Sequence, residues 1–385
     1  MKTLIKNCTL VLNGETEFEG SLLIEESKIH SLYKEGDPLP EANTVIEAQG
    51  KILMPGLIDI HLHGSYGYDF IENPQEAINV VAKGLLEEGT TSFLASLTVI
   101  SHQELCDLLN EYAKVKRPEK AANYLGIHSE GPYLSKEYKA LMDERWLRDP
   151  DLQELQEMVD ASNGTIKVMT IAPERSGMDR FIPEAIKHKI SLMIGHTACT
   201  CEEAEQALAL GTVGFTHLYN AMTQHLHRTP GAVTAAILHP EAYTELIVDG
   251  FHINPKTIQA TWKMLGPKQI VLITDAMLGK GMPDGDYTFS KLDCRKTGNT
   301  VQVKATGRIA GSAITMLDAI ANMQRYCGCS MKELVQMACV NPSVVAQVNQ
   351  TKGTLEPGKD ADLILIDKDF NLYKTFVDGK ELYSR

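Results

Sequence analysis

The 385-residue sequence has no apolar run as long as a membrane span, and its N-terminus has no basic segment followed by an apolar stretch. A helix that crosses a bilayer needs about 20 consecutive, mostly apolar residues. A secretory leader combines a short basic segment with an apolar one. We therefore expect a cytoplasmic protein without a membrane partner.

Basic residues are in the minority. The chain has 37 Lys and Arg residues against 50 Asp and Glu residues, for a formal net charge of −13. Non-specific binding to nucleic acid needs a basic surface that replaces the counterions of the phosphates. The composition argues against a nucleic-acid partner, and an anionic substrate would need its own Arg or Lys.

The eight cysteines are scattered, and no two have C-x₂-C spacing. This usage favours reduced thiols over a disulfide framework. Cys199 and Cys201 lie close to His196 and leave a soft metal site open as an alternative. Packing at a helix start is the favoured interpretation of these two thiols.

The middle of the chain alternates short apolar runs with segments whose apolar residues recur at helical spacing. Stretches such as "CEEAEQALALG" close on a glycine, which suits a helix C-cap. The apolar runs cover residues 57–62, 92–97, 124–130, 167–172, 191–196, 213–218, 245–250 and 270–275. Eight strands alternating with helices predict an α/β fold, the (β/α)₈ or TIM barrel.

Both ends of the chain have a different texture, with short β-type runs broken by Asn-Gly and charged turns. We expect one small β-sandwich domain built from residues 1–53 and 356–385. The barrel then occupies residues 54–355, with a β excursion near 283–306.

Ligand-type residues stand at the carboxyl ends of several predicted strands. In "MPGLIDIHLHG" the two histidines are two residues apart, so a strand aims both imidazoles at one face. Each of these residues alone is more often structural, but the strand ends of a barrel meet at one mouth. Together they predict a site for divalent zinc, iron, manganese or cobalt. The residues are His61, His63, Glu130, His196, His217 and Asp275.

Several segments carry a family resemblance over nearly the whole chain. They read, in order, "PGLIDIHLHG", "GIHSEGPYLS", "TIAPE", "IGHTACT", "THLYNAM", "RTPGAV", "VDGFH", "LITDAM", "RIAGSAITM", "NPSVVA" and "GTLEPGKDADLILID". The chain resembles the amidohydrolase superfamily, and within it the N-acetylglucosamine-6-phosphate deacetylase family. The H-x-H and the C-terminal segment are superfamily signals, whereas "HSEGP", "GHT" and "THLYNAM" together are typical of this family.

The resemblance implies that Glu130, His196 and His217 are the main metal ligands. Many superfamily members bridge two metals with a carbamylated lysine at the end of strand four, but this run ends in "TIAPE". The resemblance implies that Glu130, on strand three, would take that bridging place. His61 and His63, with Asp275 nearby, could hold a second ion. One or two ions per subunit would activate water and polarise the acetamide carbonyl. Asp275 would be the general acid and base.

The resemblance also implies a set of substrate contacts. Arg228 and the Asn-Ala backbone of "THLYNAM" would engage the sugar phosphate, with the arginine reaching in from a neighbouring subunit of a homodimer or tetramer. A guanidinium suits a dianion because it can fork to two phosphate oxygens. The substrate-binding residues so implied are Leu141, Met142, Asn220, Ala221, Arg228, His252, Ile309, Ala310 and Gly311.

Two departures from the family pattern concern the substrate. Relatives commonly read K-G-A-H or K-G-T-H after E-G-P, whereas this chain has Lys139, Ala140, Leu141 and Met142. Backbone contacts could survive at Leu141 and Met142, but the imidazole is lost. Thr229 stands where relatives usually have Glu.

The expected reaction is hydrolysis of the acetamide of N-acetyl-D-glucosamine 6-phosphate in amino-sugar catabolism or recycling. An alternative is the same reaction on N-acetylgalactosamine 6-phosphate or another N-acetylated phosphosugar. Reactions on cyclic amides or nucleobases fit less well, because "THLYNAM" with Arg228 indicates a phosphosugar. A remote alternative is a non-catalytic scaffold, although such proteins lose metal ligands first.

Overall fold

The computed structural model describes residues 1–289 and 292–385, which contain 22 strands and ten α-helices. In chain order the strands are β1 (Lys2–Val11), β2 (Glu17–Glu25), β3 (Lys28–Lys34), β4 (Thr44–Glu47), β5 (Ile52–Pro55), β6 (Leu57–Leu62), β7 (Gly64–Ser65), β8 (Tyr68–Asp69), β9 (Thr90–Leu97), β10 (Asn123–Glu130), β11 (Ile166–Ile171), β12 (Ser191–Ile194), β13 (Gly214–Phe215), β14 (Tyr243–Ile247), β15 (Ile270–Ile273), β16 (Gly285–Phe289), β17 (Leu292–Thr297), β18 (Thr300–Val303), β19 (Ile309–Ser312), β20 (Leu363–Ile366), β21 (Leu372–Val377) and β22 (Lys380–Ser384). The helices are α1 (Pro74–Leu86), α2 (His102–Tyr112), α3 (Leu152–Ser162), α4 (Met178–Lys187), α5 (Cys201–Leu210), α6 (Ala232–Leu238), α7 (Pro255–Leu265), α8 (Met316–Cys327), α9 (Met331–Val335) and α10 (Asn341–Val345). A short 3₁₀-helix, Glu144–Trp146, precedes α3, and a π-helical turn, Gln336–Val340, joins α9 to α10.

Eight parallel strands form the barrel in the order β6-β9-β10-β11-β12-β13-β14-β15. Each predicted apolar run overlaps one of them, so the predicted (β/α)₈ barrel is confirmed. The first and last strands meet at their carboxyl ends, where the Asp275 N–H donates to the His61 carbonyl (2.8 Å). The His63 N–H likewise donates to the Ala276 carbonyl (2.7 Å). The closing bonds therefore run through candidate site residues.

The helices around the barrel begin and end where the sequence provides caps. Helix α5 begins with a capping box of Thr200 and Glu203, and Gly211 ends it at φ 113°, a conformation that favours glycine. Cys201, the first residue of α5, and Cys199 are buried in the apolar core. Neither cysteine belongs to a metal-binding group among the described residues. No described helix combines the length and apolarity of a membrane span.

The terminal strands form a separate eight-stranded sheet in the order β22-β21-β20-β5-β1-β2-β3, with β4 paired to β1. Strand β20 joins the two ends of the chain, because it pairs antiparallel with β5 from Leu363↔Pro55 to Ile366↔Ile52. The sheet has a core of its own, which includes Ile5, Leu22 and Phe376. A small β domain built from both termini is thus confirmed. The limits at residues 53 and 355 stay predictions.

The predicted β excursion is a four-stranded antiparallel sheet, β16-β17-β18-β19. Its last strand, β19, lies beyond residue 306, the predicted limit of the excursion. This strand leads back to the barrel, where Ser312 bridges Ala276. The Ser312 N–H donates to the Asp275 carbonyl (2.9 Å). The segment 309–311 is therefore held beside the end of β15.

A buried ion pair supports the closing side of the barrel. Lys280, in the loop after β15, lies 2.6 Å from Glu88 after α1, and their side chains are 1% and 8% exposed. The Tyr66 hydroxyl also donates to Glu88. The Tyr66 N–H donates to the Lys280 carbonyl (2.6 Å), so the loops after β6 and β15 are fastened together.

We predict that Lys280→Met destabilises the protein by about 3–5 kcal/mol, because it leaves the Glu88 carboxylate buried without its cation. Lys268→Met is the matched control, since Lys268 and its partner Glu15 are 77% and 72% exposed. Thermal unfolding of the metal-free proteins, followed by circular dichroism, measures the difference. Equal Tm values for the two variants would contradict the role given to the buried pair.

Candidate metal and active site

Two groups of three ligand-type side chains meet at the carboxyl ends of the barrel strands. One group, the Glu130 trio, consists of Glu130, His196 and His217. The other, the His61 trio, consists of His61, His63 and Asp275. Within each trio the candidate ligand atoms lie within 4.8 Å of one another. The structure thus brings together all six residues that the sequence predicted for a metal site.

The Glu130 carboxylate lies between the histidines of its own trio and those of the His61 trio. Its Oε1 is 3.1 Å from Nε2 of both His196 and His217, and 3.4 Å from Nε2 of His61. Its Oε2 is 3.2 Å from Nε2 of His63. All five side chains are buried. One carboxylate therefore faces four imidazoles, two from each trio.

The backbone turns sharply where three of the site residues stand. His196, His217 and Asp275 have φ values of 47°, 27° and 48°, in the left-handed region. Each lies two residues beyond the end of its strand, β12, β13 or β15. A residue with a Cβ adopts this conformation only at some cost, and it persists where the surroundings enforce it. The strand ends are thus held in strained turns at the site.

Hydrogen bonds from outside the trios fix the tautomers of two histidines. His196 Nδ1 is 2.8 Å from the Tyr138 carbonyl, which only accepts, so Nδ1 carries the proton. His61 Nδ1 is 3.0 Å from the Glu245 carboxylate. In both rings Nε2 is consequently the nitrogen that faces Glu130 and remains for a cation.

These electron-rich atoms fit a divalent cation. His196 Nε2 and His217 Nε2 lie 3.1 Å apart beside Glu130, and His61 Nε2 is buried without a hydrogen-bond partner in the described residues. Imidazole nitrogens and carboxylate oxygens suit zinc, iron, manganese or cobalt. The donor set thus fits a divalent cation.

The electrostatics of the metal-free site point the same way. Burial opposes ionisation of Glu130, but contacts with His196, His217 and His61 hold the pKa of this carboxyl well below its usual range. Burial also opposes a charge on His61, yet the nearby carboxylates of Glu245 and Asp275 raise the pKa of its imidazole. The cluster is therefore a place that favours positive charge.

Two buried residues behind the trios were not predicted from the sequence. Glu245 in β14 accepts from His61 Nδ1 and from the His217 N–H (3.1 Å). His128 is held by Ser96 and Thr170, and its ring packs edge-on against His61 with centroids 4.4 Å apart. The sequence does contain a signal for each of them. Glu245 is a lone carboxylate in an apolar strand, and His128 lies two residues before Glu130, on the same strand face.

Burial lowers the pKa of His128 well below its usual value, and the neighbouring His61 lowers it further. His128 is therefore a neutral ring that packs behind the trios. Both of its nitrogens have hydroxyl partners, at 3.2 Å and 2.8 Å. This leaves no lone pair for a cation, so His128 supports the site without being part of either trio.

Several predicted substrate residues lie next to the trios. Asn220 donates to the His217 carbonyl (3.2 Å), and the Ala221 carbonyl accepts from the Thr197 N–H (3.1 Å). At Gly311, φ is 59° and a Cβ would lie 2.7 Å from the Asp275 carbonyl oxygen. Only glycine permits so close an approach, so Ile309, Ala310 and Gly311 run along the side of Asp275.

His252 is partly buried on the loop after β14, and its hydrogen-bond partner, Asp249, was not predicted from the sequence. Its Nδ1 donates to Asp249 Oδ2 (2.6 Å), and the other Asp249 oxygen accepts the His252 N–H (2.8 Å). Burial opposes protonation, but the Asp249 carboxylate, with a contribution from Asp275, raises the pKa of His252. The ring is therefore clamped in one orientation, with Nε2 left for another partner.

The remaining predicted residues are Leu141, Met142 and Arg228. Leu141 is 38% exposed, and Met142 packs against Val99 and Leu134. Arg228 lies on an exposed loop. No hydrogen bond or ion pair joins Arg228 to either trio among the residues that the structure describes.

Comparisons with known proteins place this geometry in a family. Residues 52–382 match the family model described as the amidohydrolase family. An N-acetylglucosamine-6-phosphate deacetylase of Bacillus subtilis is 31% identical over 380 residues, covering 98% of this chain and 96% of that protein. An N-acetylgalactosamine-6-phosphate deacetylase of Escherichia coli O157:H7 is 31% identical, with coverage of 89% and 90%.

A solved structure gives the same fold over the full length. A single-residue mutant of N-acetyl-D-glucosamine-6-phosphate deacetylase from Mycobacterium smegmatis, in complex with N-acetyl-D-glucosamine-6-phosphate, has a TM-score of 0.91 at 29% identity. It covers 100% of this chain, which in turn covers 99% of that structure. The chain belongs to the amidohydrolase family, and within it to the N-acetylglucosamine-6-phosphate deacetylase family.

Proposed function

We propose that this protein hydrolyses the acetamide of N-acetyl-D-glucosamine 6-phosphate, releasing D-glucosamine 6-phosphate and acetate. The observation that carries the proposal is the Glu130 carboxylate between two trios of ligand atoms at the barrel mouth. The names of full-length relatives from the same family support the substrate. A cytoplasmic enzyme of amino-sugar catabolism or recycling agrees with the eight free cysteines.

Glu130, His196 and His217 would hold one divalent ion, and His61, His63 and Asp275 a second one. When bound, such an ion supplies a Lewis acid that activates water and polarises the acetamide carbonyl. The buried histidines of both trios keep bulk water away from this position. Zinc, iron, manganese and cobalt remain the candidate metals.

Asp275 is the residue we assign to proton transfer. Its side chain is 15% exposed, against 5% for Glu130, so it is the more accessible carboxylate of the cluster. Its backbone is fixed by bonds to His61 and Ser312. The Asp275 carboxylate would accept a proton from the attacking water and donate it to the amide nitrogen as the C–N bond breaks. This second step is needed because an amine anion is a poor leaving group.

The substrate would lie over Asp275, between the loops that carry His252 and Ile309 to Gly311. His252 Nε2 is free to contact the acetamide, because Asp249 occupies Nδ1. Asn220 and Ala221 would contact the sugar phosphate. Leu141 and Met142 would contact the substrate through their backbone only, since their side chains lack a polar group.

Arg228 would bind the phosphate group of the substrate in the neighbouring subunit's site. Its loop is exposed, and the apolar residues Leu226 and Phe251 on two loops of the barrel mouth are 54% and 57% exposed. Exposed apolar side chains on these loops favour contact with a second copy. We therefore infer a homodimer, or a tetramer built from dimers, in which Arg228 completes the partner's site.

One alternative is supported by a specific observation. A relative that is 31% identical is named N-acetylgalactosamine-6-phosphate deacetylase. Met142 stands where the family pattern has a histidine that contacts the substrate, and Ala140 stands where it has a glycine. The galactosamine epimer, or another N-acetylated phosphosugar, is therefore the second candidate substrate. A non-catalytic scaffold is disfavoured because all six ligand-type residues are present and converge.

The proposed reaction is tested by acetate release from the two N-acetylhexosamine 6-phosphates and from their unphosphorylated forms. We expect the highest kcat/KM for N-acetylglucosamine 6-phosphate, and loss of activity when a chelator removes the metal. Glu130→Gln tests the assigned site directly, and it should lose most bound metal and nearly all turnover. Full activity in Glu130→Gln with normal metal content would refute the assigned site.

Asp275→Asn should reduce kcat by at least about 100-fold, the low end for a positioned general acid and base. The Glu130 trio is intact in this variant, so most metal at that trio should remain. Metal analysis and steady-state kinetics on the same sample check both statements. A near-normal kcat would mean that another group moves the proton.

Arg228→Ala should lower kcat/KM for the 6-phosphate by about 10- to 100-fold, because a charge-assisted phosphate contact contributes about 1.5–3 kcal/mol. The poor rate on unphosphorylated N-acetylglucosamine should hardly change. Arg325→Ala, at an exposed position in the last turn of α8, is the matched control and should leave kcat/KM unchanged.

Subunit mixing tests whether Arg228 acts across a dimer. A heterodimer of one Asp275→Asn chain and one Arg228→Ala chain contains one site with both Asp275 and a partner arginine. The mixture should therefore show more activity than the sum of its parts. No gain after proven subunit exchange would mean that Arg228 serves its own chain or is not used.

A further inference from the structure

Glu245 is a fully buried carboxylate that the proposed reaction does not use. It lies in the middle of β14 and is 0% exposed. Its Oε2 is 3.0 Å from His61 Nδ1 and 3.1 Å from the backbone nitrogen of His217. Its Oε1 has no hydrogen-bond partner among the described residues. A single oxygen atom therefore contacts one histidine of each trio.

The contact with His61 has a direction. A carboxylate accepts, so the His61 Nδ1 donates to Glu245 and Nε2 is the nitrogen that faces Glu130 and Asp275, 3.4 Å and 3.6 Å away. A carboxylate behind an imidazole also makes the opposite nitrogen a better donor to a metal. Glu245 has no ion pair with a Lys or Arg in the described residues. Its contact with a basic side chain is the one with His61.

The contact with His217 supports the other trio. The His217 N–H belongs to the left-handed turn at φ 27°, which needs an external constraint to persist. The bond to Glu245 provides one, and the Leu218 N–H adds a second by donating to the Glu245 carbonyl (2.9 Å). The side chain and backbone of Glu245 thus hold the position of His217.

We propose that Glu245 is a positioning residue that acts through His61 and sets the affinity of the His61 trio for a second divalent cation. By holding His217 with the same oxygen, it links the occupancy of the two trios. This inference rests on the proposed metal site and deepens it. Glu245 itself contacts neither substrate nor cation.

Two variants separate the charge of Glu245 from its hydrogen bonds. Glu245→Gln keeps an acceptor oxygen and places its NH₂ group at the position of the unpartnered Oε1, so it removes mainly the charge. Glu245→Leu removes the acceptor as well. The matched control is Asp59→Asn, because Asp59 is also fully buried in the barrel. Its carboxylate bonds the Thr274 hydroxyl (2.6 Å) and the backbone N–H of His61 (3.3 Å), but no imidazole nitrogen.

The experiment titrates the metal-free, full-length proteins with Co²⁺, using calorimetry together with the visible absorption of bound cobalt. Wild type and Asp59→Asn should bind two ions per chain with matching affinities. Glu245→Gln should weaken the second ion by about 10- to 100-fold, the usual range for loss of an outer-shell carboxylate. Glu245→Leu should lose the second ion and bind the first more weakly than wild type, because the His217 N–H loses its side-chain acceptor.

The inference is overturned if Glu245→Gln binds two ions as tightly as wild type, or if Asp59→Asn weakens the second ion as much. It is also overturned if wild type binds one ion only. Thermal unfolding of the metal-free variants guards against a general loss of folding, because a purely structural role would lower the Tm of Glu245→Leu without changing cobalt affinity in Glu245→Gln. Acetate release on the same samples is a separate readout. Wild type that binds two ions without releasing acetate would contradict the deacetylase proposal and leave the role of Glu245 intact.

Discussion

The arrangement at the barrel mouth depends on one buried carboxylate, that of Glu130. A carboxylate removed from water is stable only when donors or cations surround it. Here four imidazoles from the ends of β6, β12 and β13 surround both of its oxygens. Because each imidazole is aimed at Glu130, the contacts that orient the rings from outside matter as much as the carboxylate. Tyr138 and Glu245 provide two of those contacts.

Closure of the barrel and formation of the site use the same hydrogen bonds. The bonds that join β15 to β6 involve the backbone of His61, His63, Asp275 and Ala276. The four-stranded excursion attaches at the same place, through Ser312. The left-handed turns at the strand ends are strained, and this shared network supplies the constraint that they need. The geometry of the site is thus built into the way the barrel closes.

The sequence predicted the order of the strands but overestimated the length of some of them. The run 191–196 was expected to carry His196 at its end, yet β12 stops at Ile194 and His196 stands in a left-handed turn. In the run 213–218 the strand covers only Gly214–Phe215, and His217 likewise stands in a left-handed turn. An apolar pattern shows which residues face the core, but the backbone angle of a histidine depends on the elements packed against it. The role of Arg228 stays a prediction because it requires a second chain.

The sequence by itself determined which residues could form the site and in what order they come. Alternation along a strand places His61 and His63 on one face, and parallel strands deliver their carboxyl ends to one mouth. Only the tertiary structure decided that four imidazoles lie within 3.4 Å of the Glu130 carboxylate, that His128 is a neutral packing ring, and that Glu245 lies behind His61. The reason is distance along the chain: His61 and Glu245 are 184 residues apart, so no local pattern records that they touch. Their contact exists because the barrel brings β6 and β14 around the same interior.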